Sequence, residues 1–449
     1  MTKSMTSGNP LRLIFEFALP LLMGNLLQQT YNIIDAAVVG RVLGSGALAA
    51  VGASSSVQFL VMGFCIGICA GFGVPVASAF GAEDRRKMRR YIKGALIITA
   101  VFAVMVTALC GALCGRILDI LKTPGDIYKN AYSYLFIIFM GLPFSLLYNL
   151  LASLLRSVGD SRTPFMFLAV STVLNIVLDL VFILVFKMGC GGAAAATVAA
   201  QAISGILCLC YGAKKYSELL PDREVKVTGN DVKNLLFMGV PMGLQYSITA
   251  IGSMVMQSAN NGFGSVYISG FTAGMRIKQF IMCPFDAVAT AVSVFCSQNL
   301  GAGEYKRIKE GLFKGIAVSV SYGALAGLVL IFFGRNLANI FVDGGEVSVL
   351  DAAGKYLRCL GLFYIAIGFL NVCRMTTQGL GFSVRAIFSG FIEMIARIFV
   401  SYFLVPLYGF TAICYADQTA WVAACLYIVP TCFYCVKRAT RSGEGKQVG

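Results

Sequence analysis

Two carboxylates stand where carboxylates are expensive. Asp35 lies in LLQQTYNIIDAAVVG, residues 26–40, and Asp179 in STVLNIVLDLVFI, both inside long apolar runs. A charged side chain at bilayer depth costs roughly 2.5–3.5 kcal/mol on insertion scales, and intramembrane acids mark relays, ion pathways or pairing sites. Asn175 precedes Asp179 by one helical turn, so the two share a face. Thr197 follows in GGAAAATVAA, where small residues permit close helix contact. Two carboxylates, an amide oxygen and a hydroxyl supply oxygen ligands for a hard cation. Two acids held close instead share a proton, because adjacent negative charges repel. Tyr31 lies one turn before Asp35 and is placed to orient it.

These readings require a membrane. Of 449 residues, 58% are hydrophobic and only 13% charged, with a mean hydropathy of +0.79. Apolar runs of about 20 residues recur along the chain, as expected of a multi-spanning, all-α membrane protein. The 49 glycines suit closely packed membrane helices. The ten-residue alternation of a membrane β-barrel is not seen. Twelve spans are expected, at residues 12–38, 48–79, 91–115, 131–155, 165–187, 192–213, 234–259, 266–299, 312–335, 354–378, 386–408 and 412–436. The first is read as an uncleaved helix.

Several function classes drop out. The chain has no histidine, which removes His bases, His metal ligands and Ser-His-Asp triads. No GxxxxGK[ST] phosphate loop argues for direct ATP drive. An enzyme is not expected, nor a cofactor. The close pairs Cys110/Cys114 and Cys432/Cys435 read as packing residues. The net charge of +15 sits in short loops, so it speaks for orientation and not for nucleic acid. The basic cluster Arg85 to Lys93, the segment Lys214 to Lys233, the cluster Lys306 to Lys314 and the tail from Lys437 all fall on the side of the termini, as do Arg374 and Arg385. The opposite loops are sparse in Lys and Arg. Both termini are therefore expected in the cytoplasm.

The two halves repeat. Pro20 in ALPLLMGN matches Pro241 in GVPMGLQ; FGAEDRRKMRRYIKG matches LGAGEYKRIKEGLFKG; LLRSVGDSRTPF matches TTQGLGFSVRAIF. Six spans per half make these parallel repeats. The domains expected are a six-helix lobe at 1–213, a cytoplasmic linker at 214–233 and a second six-helix lobe at 234–449. The proline-to-aspartate spacing in the first span, the basic loops after spans 2 and 8, and LRSVGDSRTPF together resemble the multidrug and toxic compound extrusion (MATE) transporters over nearly the whole chain. The resemblance implies efflux of small organic compounds coupled to inward Na⁺ or H⁺, and a V-shaped pair of six-helix lobes related by a pseudo-two-fold axis. It also implies a cation site in the N-terminal lobe, on Asp35, Asn175, Asp179 and Thr197. Pro20 would let the first helix bend as Asp35 changes charge. The alternative is a flippase of a lipid-linked saccharide in the same superfamily. A monomer in the cell membrane is expected.

The second half departs from the first. Met256 stands at the position matching Asp35, Arg397 at that matching Asn175 and Ser401 at that matching Asp179; Gln245 lies where one branch of the family has a glutamate. Glu393 and Arg397 read as an intrahelical ion pair. Asp286 has Lys278 or Arg276 as candidate partners. Gln245, Met256, Arg276 and Lys278 are candidate lining residues of a substrate cavity, the two cations biasing it toward anionic substrates.

Overall fold

The computed structural model describes residues 4–121, 123–216, 224–342 and 346–447, without the side chains of Ser45 and 442–447. Every regular element among them is helical. They are α1 (Pro10–Val38), α2 (Ser45–Gly81), α3 (Arg85–Ile120), α4 (Gly125–Met140), α5 (Leu142–Ser157), α6 (Arg162–Leu180), α7 (Gly189–Lys215), α8 (Gly229–Asn260), α9 (Ser265–Gly301), α10 (Tyr305–Ala338), α11 (Val347–Gly361), α12 (Tyr364–Gly379), α13 (Ser383–Phe399), the single turn α14 (Val405–Tyr408) and α15 (Phe410–Gln447). Local chemistry sets several starts. Pro10 opens α1 where no N–H is needed, and Asn9 Oδ1 accepts from the Leu11 amide at 3.0 Å. Asp84 caps α3 by accepting from the Lys87 amide at 2.9 Å.

Ten helical segments are each long and apolar enough to cross a membrane. Two bent pairs, α4 with α5 at 46° and α11 with α12 at 56°, bring the candidate spans to twelve when each pair is counted as one broken span.

The repeat is visible in the backbone. Gly44 and Gly264 precede α2 and α9, both with φ of +87°. Gly159 and Gly381 precede α6 and α13 at +84° and +89°. These left-handed conformations suit glycine. Each half also carries a π-helical turn after the helix that follows its glycine, Val181–Val185 after α6 and Val400–Leu404 after α13.

The chain divides into two compact units, Met1–Ser4 with Met23–Gly243, and Met5–Leu22 with Leu244–Gly449. Of the three division points, one falls between Ser4 and Met5, one inside α1 two residues past Pro20, and one inside α8 two residues past Pro241. Residues 217–223 of the expected linker lie outside the described residues. Its described part belongs to the first unit, where Lys93 Nζ donates to the Val225 carbonyl at 2.7 Å and Arg90 lies 3.8 Å from Asp231. In that unit α2 and α8 meet through glycines. A Cβ at Gly67 would stand 2.7 Å from the Gly243 Cα, and one at Gly71 would stand 2.7 Å from the Met238 carbonyl oxygen. This is backbone-to-backbone packing of the small-xxx-small kind.

Candidate functional site

The sequence-derived constellation assembles in the first unit. Asp35 is near the end of α1 and Asp179 near the end of α6, each shortly before a π-helical turn, Val39–Leu43 and Val181–Val185. Such turns recur at functional sites because they re-aim side chains within a helix. The two carboxyls are within hydrogen-bonding reach of each other. Asp179 is 1% exposed and Asp35 half-buried. One oxygen of each, Oδ1, is buried with no hydrogen-bond partner among the described residues.

Asn175 and Thr197 complete the ring. With the Asn175 amide turned to suit its neighbours, its Nδ2 donates to Asp179 Oδ2 at 3.2 Å and its Oδ1 accepts from the Thr197 backbone N–H at 3.1 Å. The Thr197 hydroxyl lies 3.4 Å from the Tyr31 hydroxyl, so Tyr31 reaches α7 and does not hydrogen-bond Asp35 directly. A further residue escaped the sequence reading: Tyr134 on α4 is in electrostatic range of Asp35, Asp179 and Tyr31. Its hydroxyl donates to Gln58 Oε1 at 3.4 Å. Nothing distinguishes Tyr134 from the other aromatics of YSYLFII in sequence.

Two adjacent anions in apolar surroundings demand a positive charge between them. The donor set is all oxygen, with two carboxylate oxygens to spare, and suits a proton or a hard cation.

The second unit holds something different in kind, a buried ion network across four helices. Lys278 Nζ on α9 lies 2.5 Å from Asp417 Oδ2 on α15. Arg397 Nε on α13 donates to Asp417 Oδ1 at 3.0 Å, and Arg397 Nη2 to Glu393 Oε2 at 3.3 Å. Arg374 on α12 pairs with Glu393 Oε1 and donates from Nε to Ser389 Oγ at 2.9 Å. Tyr356 on α11 donates to Asp417 Oδ2 at 3.1 Å. The Glu393–Arg397 pair expected from sequence is thus one link of a longer chain. Arg374, counted among the cations on the side of the termini although within the expected span 354–378, is inside α12 and buried. Asp417 was missed, although an acid in ICYADQTAWV carries the same signal as Asp35.

The other expected residues fall as follows. Met256 is 0% exposed and Gln245 6%, the latter bonded to Gln378; both belong to the interior of the second unit. Lys278 is bonded to Asp417, with 12% of its side chain exposed. Arg276 is half-buried. Asp286 pairs with neither basic residue: its Oδ1 accepts from Asn371 Nδ2 at 3.1 Å.

A repeated twelve-span helical chain with paired intramembrane acids defines a membrane transporter class, and comparison with known proteins agrees. The chain belongs to the MatE family, whose model matches it twice, over residues 20–181 and 241–403. The two matches begin at Pro20 and Pro241, the prolines that mark the repeat. The chain is 31% identical over 364 residues to the probable multidrug resistance protein YpnP of Bacillus subtilis (strain 168), covering 81% of each. It is 23% identical over 404 residues to the multidrug export protein MepA of Staphylococcus haemolyticus (strain JCSC1435), covering 89% of this chain and 88% of that one. A solved outward-facing structure of a multidrug resistance MATE family transporter of the MOP superfamily shares the fold at a TM-score of 0.91 and 20% identity, covering 97% of this chain and 98% of the other.

Proposed function

We propose that this protein is a secondary active exporter of small organic compounds in the cell membrane, with both termini in the cytoplasm, working as a monomer by alternating access. Inward movement of Na⁺ or H⁺ drives it. Asp35 and Asp179 carry the coupling ion, with Asn175 and Thr197 as further oxygen donors and Tyr31 holding Thr197. The observation that carries this reading is the pair of carboxyls in mutual reach, each with a buried, unpartnered oxygen. A purely structural acid pair would have its acceptors filled by neighbouring helices. The names of the relatives, multidrug resistance and multidrug export proteins, support efflux of organic compounds.

The energetics suffice. One positive charge moving inward yields roughly 2.3 kcal/mol per 100 mV. At ~150 mV this is about 3.5 kcal/mol, enough to hold a neutral substrate at a gradient of a few hundred-fold. The test is purified protein in liposomes loaded with a fluorescent organic dye, with a Na⁺ gradient or a pH gradient imposed in turn. Dye movement against its own gradient under one of the two supports the reading. Movement under neither, with dye binding intact, contradicts it.

A further inference from the structure

One corner of the fold occurs twice with different chemistry. The turns that enter α6 and α13 are counterparts, led by the left-handed Gly159 and Gly381. Asp160 follows the first glycine and Phe382 the second. Gly189 and Gly409 likewise lead α7 and α15, at φ of +60° and +58°. Counted from these glycines, Arg385 stands for Thr163 and Cys435 for Lys215. The same contact forms in both corners: Lys215 Nζ lies 3.4 Å from Thr163 Oγ1, and Arg385 Nη1 lies 3.9 Å from Cys435 Sγ. The first corner holds its own anion, since Asp160 accepts from Lys215, Thr163 and Tyr216. The second has a phenyl ring where that carboxylate would be.

Cations gather around that ring. Arg385 Cζ stands 5.7 Å from the centre of the Phe382 ring and 4.7 Å from that of Tyr434, and Arg438 Cζ stands 5.9 Å from Phe382. The Tyr434 hydroxyl is within reach of both guanidiniums. The partners of Arg385 are two rings, a phenol and a thiol, with no carboxylate among the described residues. Lys437 and Arg438 are exposed beside it. A guanidinium stacked on rings keeps its edge N–H donors for an anion, and its planar fork matches a phosphate. Further along the span the surface turns apolar. Phe388 and Phe391 follow Arg385 on α13, 51% and 38% exposed, with rings 6.3 Å apart. Tyr427, two turns before Tyr434 on α15, lies 6.4 Å from Phe388, and its hydroxyl donates to the Arg385 carbonyl at 3.1 Å. The α13–α15 seam thus carries a cationic fork at the end of the span and aromatic rings next to it.

We infer that Arg385, Arg438 and Tyr434 bind the phosphate of an anionic phospholipid whose acyl chains lie along the α13–α15 seam over Phe388 and Phe391. The order of the groups is that of the lipid, phosphate first and hydrocarbon next, and basic pockets between membrane helices take such headgroups. Cations with no acid of their own favour a headgroup that carries no cation. In the proposed orientation this is the cytoplasmic leaflet. The lipid brings to the second corner the negative charge that Asp160 brings to the first.

The experiment is native mass spectrometry of the purified, delipidated full-length protein in neutral detergent. It is titrated with phosphatidylglycerol or with phosphatidylcholine of the same acyl chains. The wild type is expected to take up its first phosphatidylglycerol at a several-fold lower concentration than phosphatidylcholine. Arg385→Gln is expected to abolish that preference. Arg438→Gln, at an exposed position on α15, probes the same site without touching α13 and should weaken the preference several-fold. Arg86→Gln, at an exposed cation of α3, is expected to leave it unchanged. Equal uptake of the two lipids by the wild type would overturn the inference. So would a preference that both site variants keep, or one that Arg86→Gln lowers as much as Arg385→Gln. Displacement of the phosphatidylglycerol by inorganic phosphate at equal concentration would also overturn it, showing a phosphate site without a lipid.

Discussion

Asp35 and Asp179, on helices far apart in the chain, bring their carboxyls within hydrogen-bonding reach inside the first unit. Neither has a basic residue hydrogen-bonded to it among the described residues. The contrast with the second unit is direct: there Asp417 has a lysine and an arginine on its two oxygens. In the first unit the two acids face each other, whereas in the second Asp417 and Glu393 are each held by fixed cations.

That contrast predicts how the network responds to mutation. Asp417→Asn strands Lys278 and loosens Arg397, leaving buried cations without counter-ions, and should cost about 3–5 kcal/mol. Lys278→Met removes one of the two cations on Asp417 and leaves Arg397 in place, so it should cost clearly less. Unfolding midpoints of the two variants in detergent check the order; a larger loss in Lys278→Met would contradict the assignment of Asp417 as the shared counter-ion.

Asp160 gives a pH dependence. It lies between α5 and α6, outside the spans. Burial pushes its carboxyl up, but the Thr163 hydroxyl, Tyr216, the Thr163 amide and Lys215 together outweigh burial and hold it below its ordinary value. The Thr163 amide donates to Oδ1 at 3.0 Å and Lys215 Nζ lies 3.2 Å from Oδ2. A carboxylate with a lowered folded-state pKa adds stability that is present above its unfolded pKa of about 3.9 and lost as pH falls through the folded one. Asp160→Asn should therefore cost about 1–3 kcal/mol at pH 7, and the gap to wild type should narrow below pH ~4. A gap independent of pH down to 3 would mean that the charge contributes nothing.

The α2–α8 crossing is predicted to be intolerant of bulk. Gly71→Val places atoms where the α8 backbone already is, so the helices must separate. Expression of folded, monodisperse protein should fall sharply, while Gly212→Val, with open space around it, should be neutral. Equal yields from both would show that the close approach is dispensable.

Orientation is checked by labelling. Lys226 is exposed in the segment before α8. With the exposed Cys210 replaced by Ser, Lys226→Cys should react with an impermeant maleimide in inside-out vesicles and not in intact cells. The reverse pattern would invert the proposed topology.

The chain discloses its apolar runs and its candidate site for the same reason: a polar atom in an apolar run is conspicuous, so Asp35, Asn175, Asp179 and Thr197 stand out. The repeat is legible because turns that need glycine, as at Gly159 and Gly381, preserve it at fixed spacing. Arg374 reads with the cytoplasmic-side cations because it lies in the last turns of its span, and its burial against Glu393 and Ser389 on α13 is a contact between helices. Lys278 is matched in sequence with Asp286 or with a cavity because its partner, Asp417, is 139 positions away. Periodicity tells which residues share a helix face, and is silent on which face meets which helix. Tyr134 lay hidden for that reason as well.

The most direct test concerns Asp35. Asp35→Asn keeps the shape of the side chain and removes a charge the membrane disfavours, so the protein should fold. An amide neither takes up a proton in this range nor serves as an anionic cation ligand, so the variant should bind substrate and yet lose gradient-driven efflux; Asp179→Asn should match it. The measurement is efflux from liposomes under an imposed ion gradient, run beside equilibrium substrate binding on the same preparation. Binding near wild type with efflux reduced to the level of protein-free liposomes is the predicted result. Efflux by Asp35→Asn against a gradient at the wild-type rate would contradict the account and leave Asp35 a structural residue.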